Sequence, residues 1–198
     1  MKTFKQHIYE KLKVNIGNDT KHTLFPETKD ELEQMIKKEI SKNGNECSLN
    51  HIDVSRITDM SNLFLSSKFD GDISNWDVSK VKNMSMMFYA SKFNGDIFDW
   101  NVSNVENMSG MFGYSKFNGD ISRWDVSNIE NMEDMFYWSK FNGDISNWDV
   151  SNVKNMERMF ASSKFNGDIS SWTVSKGIKM GYMFNLSPLE NNPPKWYK

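Results

Sequence analysis

FNGDISNWDVSNVKNMERMF, residues 141–160, is one turn of a pattern that returns along the chain every 24 residues. The preceding copy, residues 117–136, reads FNGDISRWDVSNIENMEDMF. Four apolar columns keep the interval. They are Phe69, Phe93, Phe117, Phe141 and Phe165; Trp76, Trp100, Trp124, Trp148 and Trp172; Met60 to Met180; and Phe64 to Phe184. No residue is inserted or lost between Met60 and Met180. Strict spacing of this kind predicts a stacked repeat, because every turn must lie in register on the last. A single turn cannot bury its own Trp, Val, Met and Phe, whereas a neighbour on each side can. Each large apolar side chain so buried contributes about 1.5–3 kcal/mol.

Inside one turn, Ile73, Trp76 and Val78 are spaced by three and two. That is the L-x-x-L-x-L skeleton of a leucine-rich repeat. Alternation around Trp76 and Val78 predicts a short parallel strand with Asn75, Asp77 and Ser79 pointing outward. Met84, Met87 and Phe88 predict a short helical or 3₁₀ turn packing inward. Asn94-Gly95-Asp96 and its equivalents predict the bend back, with glycine at positive φ. The expected fold is therefore a leucine-rich-repeat-like solenoid of six 24-residue coils over residues 45–187. A small α-helical cap or attachment segment precedes it (1–44), and a tail follows it (188–198).

The cap is readable in two pieces. Phe4, Ile8 and Leu12 lie on one face of a short amphipathic helix. Thr28 and Glu31 form a capping box before Leu32, Met35, Ile36 and Ile40, and Asn43-Gly44 supplies a stop, so a helix is predicted over about residues 28–42. The two helices are expected to cover the first open edge of the solenoid. The tail that begins at Pro188 is expected to cover the other.

The chain has 198 residues, a net charge of -2, 14 Phe, 14 Met and 7 Trp. Large apolar groups in that number exclude a disordered chain, and the charge argues against nucleic acid as a partner. A mean hydropathy of -0.65 and the lack of a long apolar run exclude a membrane-spanning helix. One cysteine, Cys47, excludes an internal disulfide framework. Residues 1–15 carry charge without an apolar run behind it, so classical secretion is not encoded. A cytoplasmic or virion-associated location is expected over classical secretion.

Catalytic constellations are missing: the sequence holds no G-x-S-x-G, H-E-x-x-H, P-loop or G-x-G-x-x-G. No enzyme activity, cofactor or metal is expected. An active site at one end of the coil would need His51, Cys47 and an acid in one pocket. Asp72, Asp96, Asp120, Asp144 and Asp168 form a ladder that could hold calcium, but acceptance of turn amides explains it more simply. The serine and asparagine ladders read the same way.

Function is expected where the turns differ. On the outward strand face, Phe98 stands where other turns have Ser, and Arg123 stands where they have Asn, Asp or Ser. After the Met-Phe segment, Tyr89, Tyr114, Tyr137 and Trp138 replace small residues. Exposed Tyr, Trp and Arg are favoured interface anchors, and stacked aromatics also suit sugar faces. These six residues are the candidate binding positions.

The quoted turns resemble the repeats of BspA-like bacterial surface proteins, a family also described as a mycoplasma-type domain of unknown function with a 24–26-residue repeat. The resemblance covers about residues 45–187 and implies a leucine-rich-repeat-like solenoid with a role in adhesion or binding. Met1-Lys2-Thr3-Phe4 and Ile8-Tyr9-Glu10 look similar to the targeting leaders of internal head proteins in T-even-like bacteriophages. Two functions follow as expectations. The first is a non-enzymatic module presenting a rigid surface to a protein or glycan. The second is a structural or accessory protein of a bacteriophage particle, with the N-terminal segment as its anchor or targeting peptide. Self-association through the solenoid ends is compatible with either.

Overall fold

The architecture comes from a computed structural model, which describes residues 21–197. The reading of residues 1–20 as an amphipathic helix or leader therefore lies outside the described residues. One regular helix is present there, α1 (Lys29–Asn43). Thr28 accepts the Glu31 amide and the Glu31 carboxylate accepts the Thr28 amide, closing the capping box that the sequence announces. Gly44, at φ 85°, ends the helix with its amide on the Ile40 carbonyl. Leu32 and Ile36 from α1 are buried against Leu49, Ile52 and the first repeat.

Beyond α1 the chain lays each 24-residue repeat on the one before. Asp59, Asn83, Asn107, Asn131, Asn155 and Lys179 are joined in series by parallel bridges, one residue per repeat. Leu24 bridges Ile52 and Ser48 bridges Asp72, so the segment before α1 joins the first repeat as well. The Phe rings stack in two files. Phe69, Phe93, Phe117, Phe141 and Phe165 stand 6.2–6.4 Å apart. Phe64 to Phe184 stand 5.5–6.0 Å apart. All these rings are buried, which gives each one aromatic partners on both faces except at the ends.

The Trp column is tied to the backbone. Each indole Nε1 donates to a carbonyl 27 residues earlier: Trp76 to Leu49, Trp100 to Ile73, Trp124 to Ile97, Trp148 to Ile121 and Trp172 to Ile145, at 3.0–3.2 Å. Every one of these indoles is 4% exposed. A buried N–H must find an acceptor, and here the acceptor belongs to the previous repeat. The column does not stop at Trp172. Trp196 lies another 24 residues on, stacks on Trp172 at 5.9 Å and donates to Ile169 O at 2.8 Å. The tail is thus a partial further repeat rather than a departure from the pattern.

Three local expectations are corrected. Parallel pairing is confined to single bridges, those of the Asn83 ladder and those joining Leu24 to Ile52 and Ser48 to Asp72, and tight turns closed by the Trp76 and Val81 amides flank Trp76 and Val78, with no strand between them. Asn75 and Asp77 are nonetheless exposed, as outward positions should be. The Met84–Phe88 segment is not a 3₁₀ helix, because Met86 and Ala90 stand at φ 54°. Gly95 and its equivalents are not at positive φ. Among the described glycines only Gly44, Gly110 and Gly177 are. Glycine is required there by crowding: a Cβ on Gly119 or Gly143 would lie 2.8–2.9 Å from the ring of the Phe two residues earlier.

Candidate binding surface

The Met-Phe segment sets the geometry of the surface. Amides of Met84, Met86, Phe88 and Ala90 donate to carbonyls of Asn107, Ser109, Met111 and Gly113 in the next repeat, at 2.8–3.0 Å. Between them, Met87, Tyr89 and Ser91 close tight turns on Met84, Met86 and Phe88. This alternation needs a left-handed residue twice per repeat. The two positions are Asn62 and Ser66, Met86 and Ala90, Gly110 and Tyr114, Asp134 and Trp138, Arg158 and Ser162, and Tyr182 and Leu186. A left-handed conformation costs a non-glycine residue about 1–2 kcal/mol, and bulky residues are rare in it. Tyr114 and Trp138 stand there at φ 52°.

Both rings face solvent, Tyr114 at 45% and Trp138 at 55% exposure. Their centroids lie 5.9 Å apart with planes 10° from parallel. Tyr137 meets Tyr114 edge-on at 5.3 Å, and Tyr89 does so at 5.4 Å from the other side. Tyr89 and Tyr137 are half-buried. Tyr89 lies across Gly113, where a Cβ would come within 2.8 Å of its ring, and Gly110 opens the adjoining space. Packing on the next repeat therefore accounts for Tyr89, but not for the exposed faces of Tyr114 and Trp138.

A charged border adjoins the rings. Arg158 reaches Asp134 with Nε and Nη2, at 2.9 and 2.8 Å, and Glu133 with Nη2 at 2.8 Å. Asn155 adds a bond to the other Glu133 oxygen at 3.1 Å. Hydrogen bonding to Asp134, with the charges of Asp134 and Glu133, outweighs burial and raises the Arg158 pKa further above its usual value. Burial, then the Asp134 charge and Tyr137, pushes the Tyr89 phenol up. Hydrogen bonding with Tyr137 pushes Tyr114 up. Sequence reading missed Gly110, Gly113, Glu133, Asp134 and Arg158. Gly110, Asp134 and Arg158 share a column in which every repeat differs (Asn62, Met86, Gly110, Asp134, Arg158, Tyr182), so no departure from a pattern marked them.

Phe98 and Arg123 form a separate pair. The Arg123 guanidinium sits over the Phe98 ring, 5.1 Å from its centroid. Phe98 is half-buried and Arg123 exposed, so the out-of-pattern Phe has a local partner. The six sequence candidates thus fall into two groups, four rings in one and a cation-π pair in the other.

The ladders spend their polar atoms on the backbone. Asp72, Asp96, Asp120, Asp144 and Asp168 each accept the amide two residues on, at 2.9–3.1 Å. Asn83, Asn107, Asn131 and Asn155 do the same at 2.9–3.0 Å. Asn118, Asn142 and Asn166 pass an amide bond to the Asn side chain of the repeat before, at 2.7–2.8 Å. At the first repeat, His51 Nε2 stands 3.5 Å from Glu39 Oε2. Burial, followed by the Glu39 charge, raises the half-buried Cys47 thiol, though a bond from its own backbone amide opposes this. That is the wrong direction for a nucleophile.

The family described as Mycoplasma protein of unknown function, DUF285, matches residues 30–138 and 113–196. The chain belongs to this family. Curated proteins and solved structures give no match. No helix among the described residues is long and apolar enough to cross a membrane.

Proposed function

We propose that the chain is a non-enzymatic binding module, in which a leucine-rich-repeat-like solenoid holds an aromatic surface rigid for recognition of a protein or glycan. The observation that carries this reading is the pair Tyr114 and Trp138, large rings kept at left-handed positions and left in water. Neither burial nor backbone preference favours them there, and unexplained cost at an exposed position points to use. The Arg158 network beside them supplies directional polar groups at the border, the layout of an interface with an apolar centre and a polar rim. Likeness of the repeats to BspA-like surface proteins supports an adhesion-like role.

A protein partner fits better than a sugar. Tyr114 and Trp138 lie nearly parallel and next to one another, and Tyr89 and Tyr137 close in on Tyr114. What remains open suits insertion into a partner's pocket more than the stacking of an extended sugar. The test compares the native chain with the Tyr114→Ala/Trp138→Ala double variant, in a pull-down and on a glycan array. A partner held by the native chain and lost by an equally heat-stable variant is the expected result. Equal retention by both would remove the aromatic surface from the argument.

A further inference from the structure

The two ends of the stack differ in a way that makes them complementary. Along the Met-Phe edge, amides of one repeat donate to carbonyls of the next. At the last repeat, the amides of Met180, Tyr182, Phe184 and Leu186 have no acceptor among the described residues. At the first repeat, the matching carbonyls of Asp59, Ser61, Leu63 and Leu65 have no donor among the described residues. The tail does not close the far edge. Trp196 docks on Trp172, and Tyr197 packs on Phe184 at 4.9 Å and donates to Met180 O at 3.3 Å. Both contacts cover the interior and leave Tyr182 at 72% and Leu186 at 70% exposure. At the near end, Leu65 is exposed and Leu63 half-buried.

Charge follows the same logic. The bridge ladder is Asn at its four inner positions, Asp59 at the first and Lys179 at the last. A second copy set beneath the last repeat would bring its Asp59 against Lys179, the place of the next rung. Opposite charges on adjacent rungs are favourable. Asp59 at present has only a 3.6 Å approach from Lys29 as its ion pair.

We propose that the chain associates head-to-tail with a second copy of itself. The Met180–Leu186 edge of one copy pairs in parallel with the Asp59–Leu65 edge of the next, and Lys179 meets Asp59. Such an interface is heterologous, so it extends into oligomers unless the rotation closes a ring. An open edge of unpaired backbone groups is the ordinary template for this pairing.

Sedimentation velocity on the full chain, over a concentration series up to about 1 mM, reads the association directly. The native chain is expected to pass from monomer to a ladder of larger species. Tyr182→Asp/Leu186→Asp blocks one end and Asn62→Asp/Leu65→Asp blocks the other. Asp tolerates the left-handed backbone at positions 62, 182 and 186. Each blocked variant is expected to stay monomeric with unchanged circular dichroism, while an equal mixture forms a single heterodimer through the two intact ends. Lys179→Glu is expected to weaken native association by roughly tenfold or more. Native chain that remains monomeric throughout overturns the proposal, as does a blocked variant that still self-associates or a mixture that stays monomeric. Because Tyr114 and Trp138 are untouched, failure here is distinct from failure of the aromatic surface.

Discussion

Replacing Trp124 by Phe isolates what one rung of the indole column is worth. The substitution removes the Nε1 bond to Ile97 O, 3.1 Å long, from an indole that is 4% exposed. Ile97 O also accepts the Trp100 amide at 3.2 Å, so the carbonyl keeps one partner. The loss is therefore the net value of a hydrogen bond, about 0.5–1.5 kcal/mol, and not the larger penalty of an orphaned carbonyl. The missing part of the indole adds roughly two methylene equivalents, about 1.6 kcal/mol. Together they give about 2–3 kcal/mol. Trp196→Phe removes the same bond, to Ile169 O at 2.8 Å, but from a ring that is only half-buried, and Ile169 O keeps the Trp172 amide. The expected cost there is about 1 kcal/mol or less. Equilibrium urea unfolding, monitored by circular dichroism, measures both. If the two variants lost equal stability, or if Trp124→Phe fell within about 0.5 kcal/mol of the native chain, the inter-repeat bond would not be holding the stack.

Other outcomes follow from the same geometry. Gly71→Ala is expected to cost about 1–3 kcal/mol by overpacking, since its Cβ would lie 2.0 Å from the Cys47 carbonyl oxygen, a backbone atom with no freedom to move; the midpoint in urea reads this. Gly113→Ala crowds the half-buried Tyr89 ring at 2.8 Å and meets the Asp134 carbonyl oxygen at an ordinary 3.4 Å, so it should leave stability within about 0.5 kcal/mol while changing Tyr fluorescence at the patch. Arg158→Met breaks the contacts to Asp134 and Glu133 and is expected to lower stability by about 1 kcal/mol at low salt, with a smaller loss at high salt, because the pair is partly solvated. Asp59 has its carboxyl held below the ordinary 3.8: burial alone would raise it, but bonds from Ser61 and the Lys29 charge prevail. A depressed carboxylate adds stability that is fully present above pH 3.8 and is lost as pH falls through the lower folded value. Thermal melts between pH 6 and pH 2 should therefore show a shallower acid limb for Asp59→Asn than for the native chain.

Some of this was plain in the residues and some was hidden. The 24-residue interval, the identity of the buried columns and the capping box at Thr28 follow from patterns that packing imposes on side-chain type. Local backbone conformation was not visible, because the apolar spacing of Met84, Met87 and Phe88 suits a helical turn as well as the observed train of tight turns. What separates them is the left-handed backbone at Met86 and Ala90. Neither residue type announces it, since the conformation is held by amides bonded to the following repeat. Glycine at Gly95 was read for its φ when the cause is the Phe93 ring beside it. Trp196 was overlooked because Pro188, Pro193 and Pro194 look like the end of a pattern, although the interval from Trp172 is unbroken. At the candidate surface, the four rings were legible as departures from the repeat. Arg158 and its carboxylates were not, since charged residues on an exposed turn are ordinary until their partners are known.

Identity and difference between the repeats have distinct physical origins. A residue that recurs in every repeat answers a demand every repeat makes: an indole for the carbonyl 27 residues earlier, an Asp for the amide two residues on, a glycine beside a ring. Such residues cannot distinguish one face of the stack from another. The left-handed positions make a demand on the backbone alone, and their side chains point away from the core. Met86, Gly110, Asp134, Arg158 and Tyr182 therefore differ freely, as do Ala90, Tyr114, Trp138, Ser162 and Leu186. Glycine or asparagine would satisfy those positions at least cost. Only Asn62 and Gly110 take that option, and Gly110 does so next to the Tyr89 ring. Aromatic rings in the middle of the stack and apolar residues at its last repeat are thus the least expected occupants of a costly conformation. The middle is where a foreign partner would meet the side of the stack, and the last repeat is where another copy would continue it.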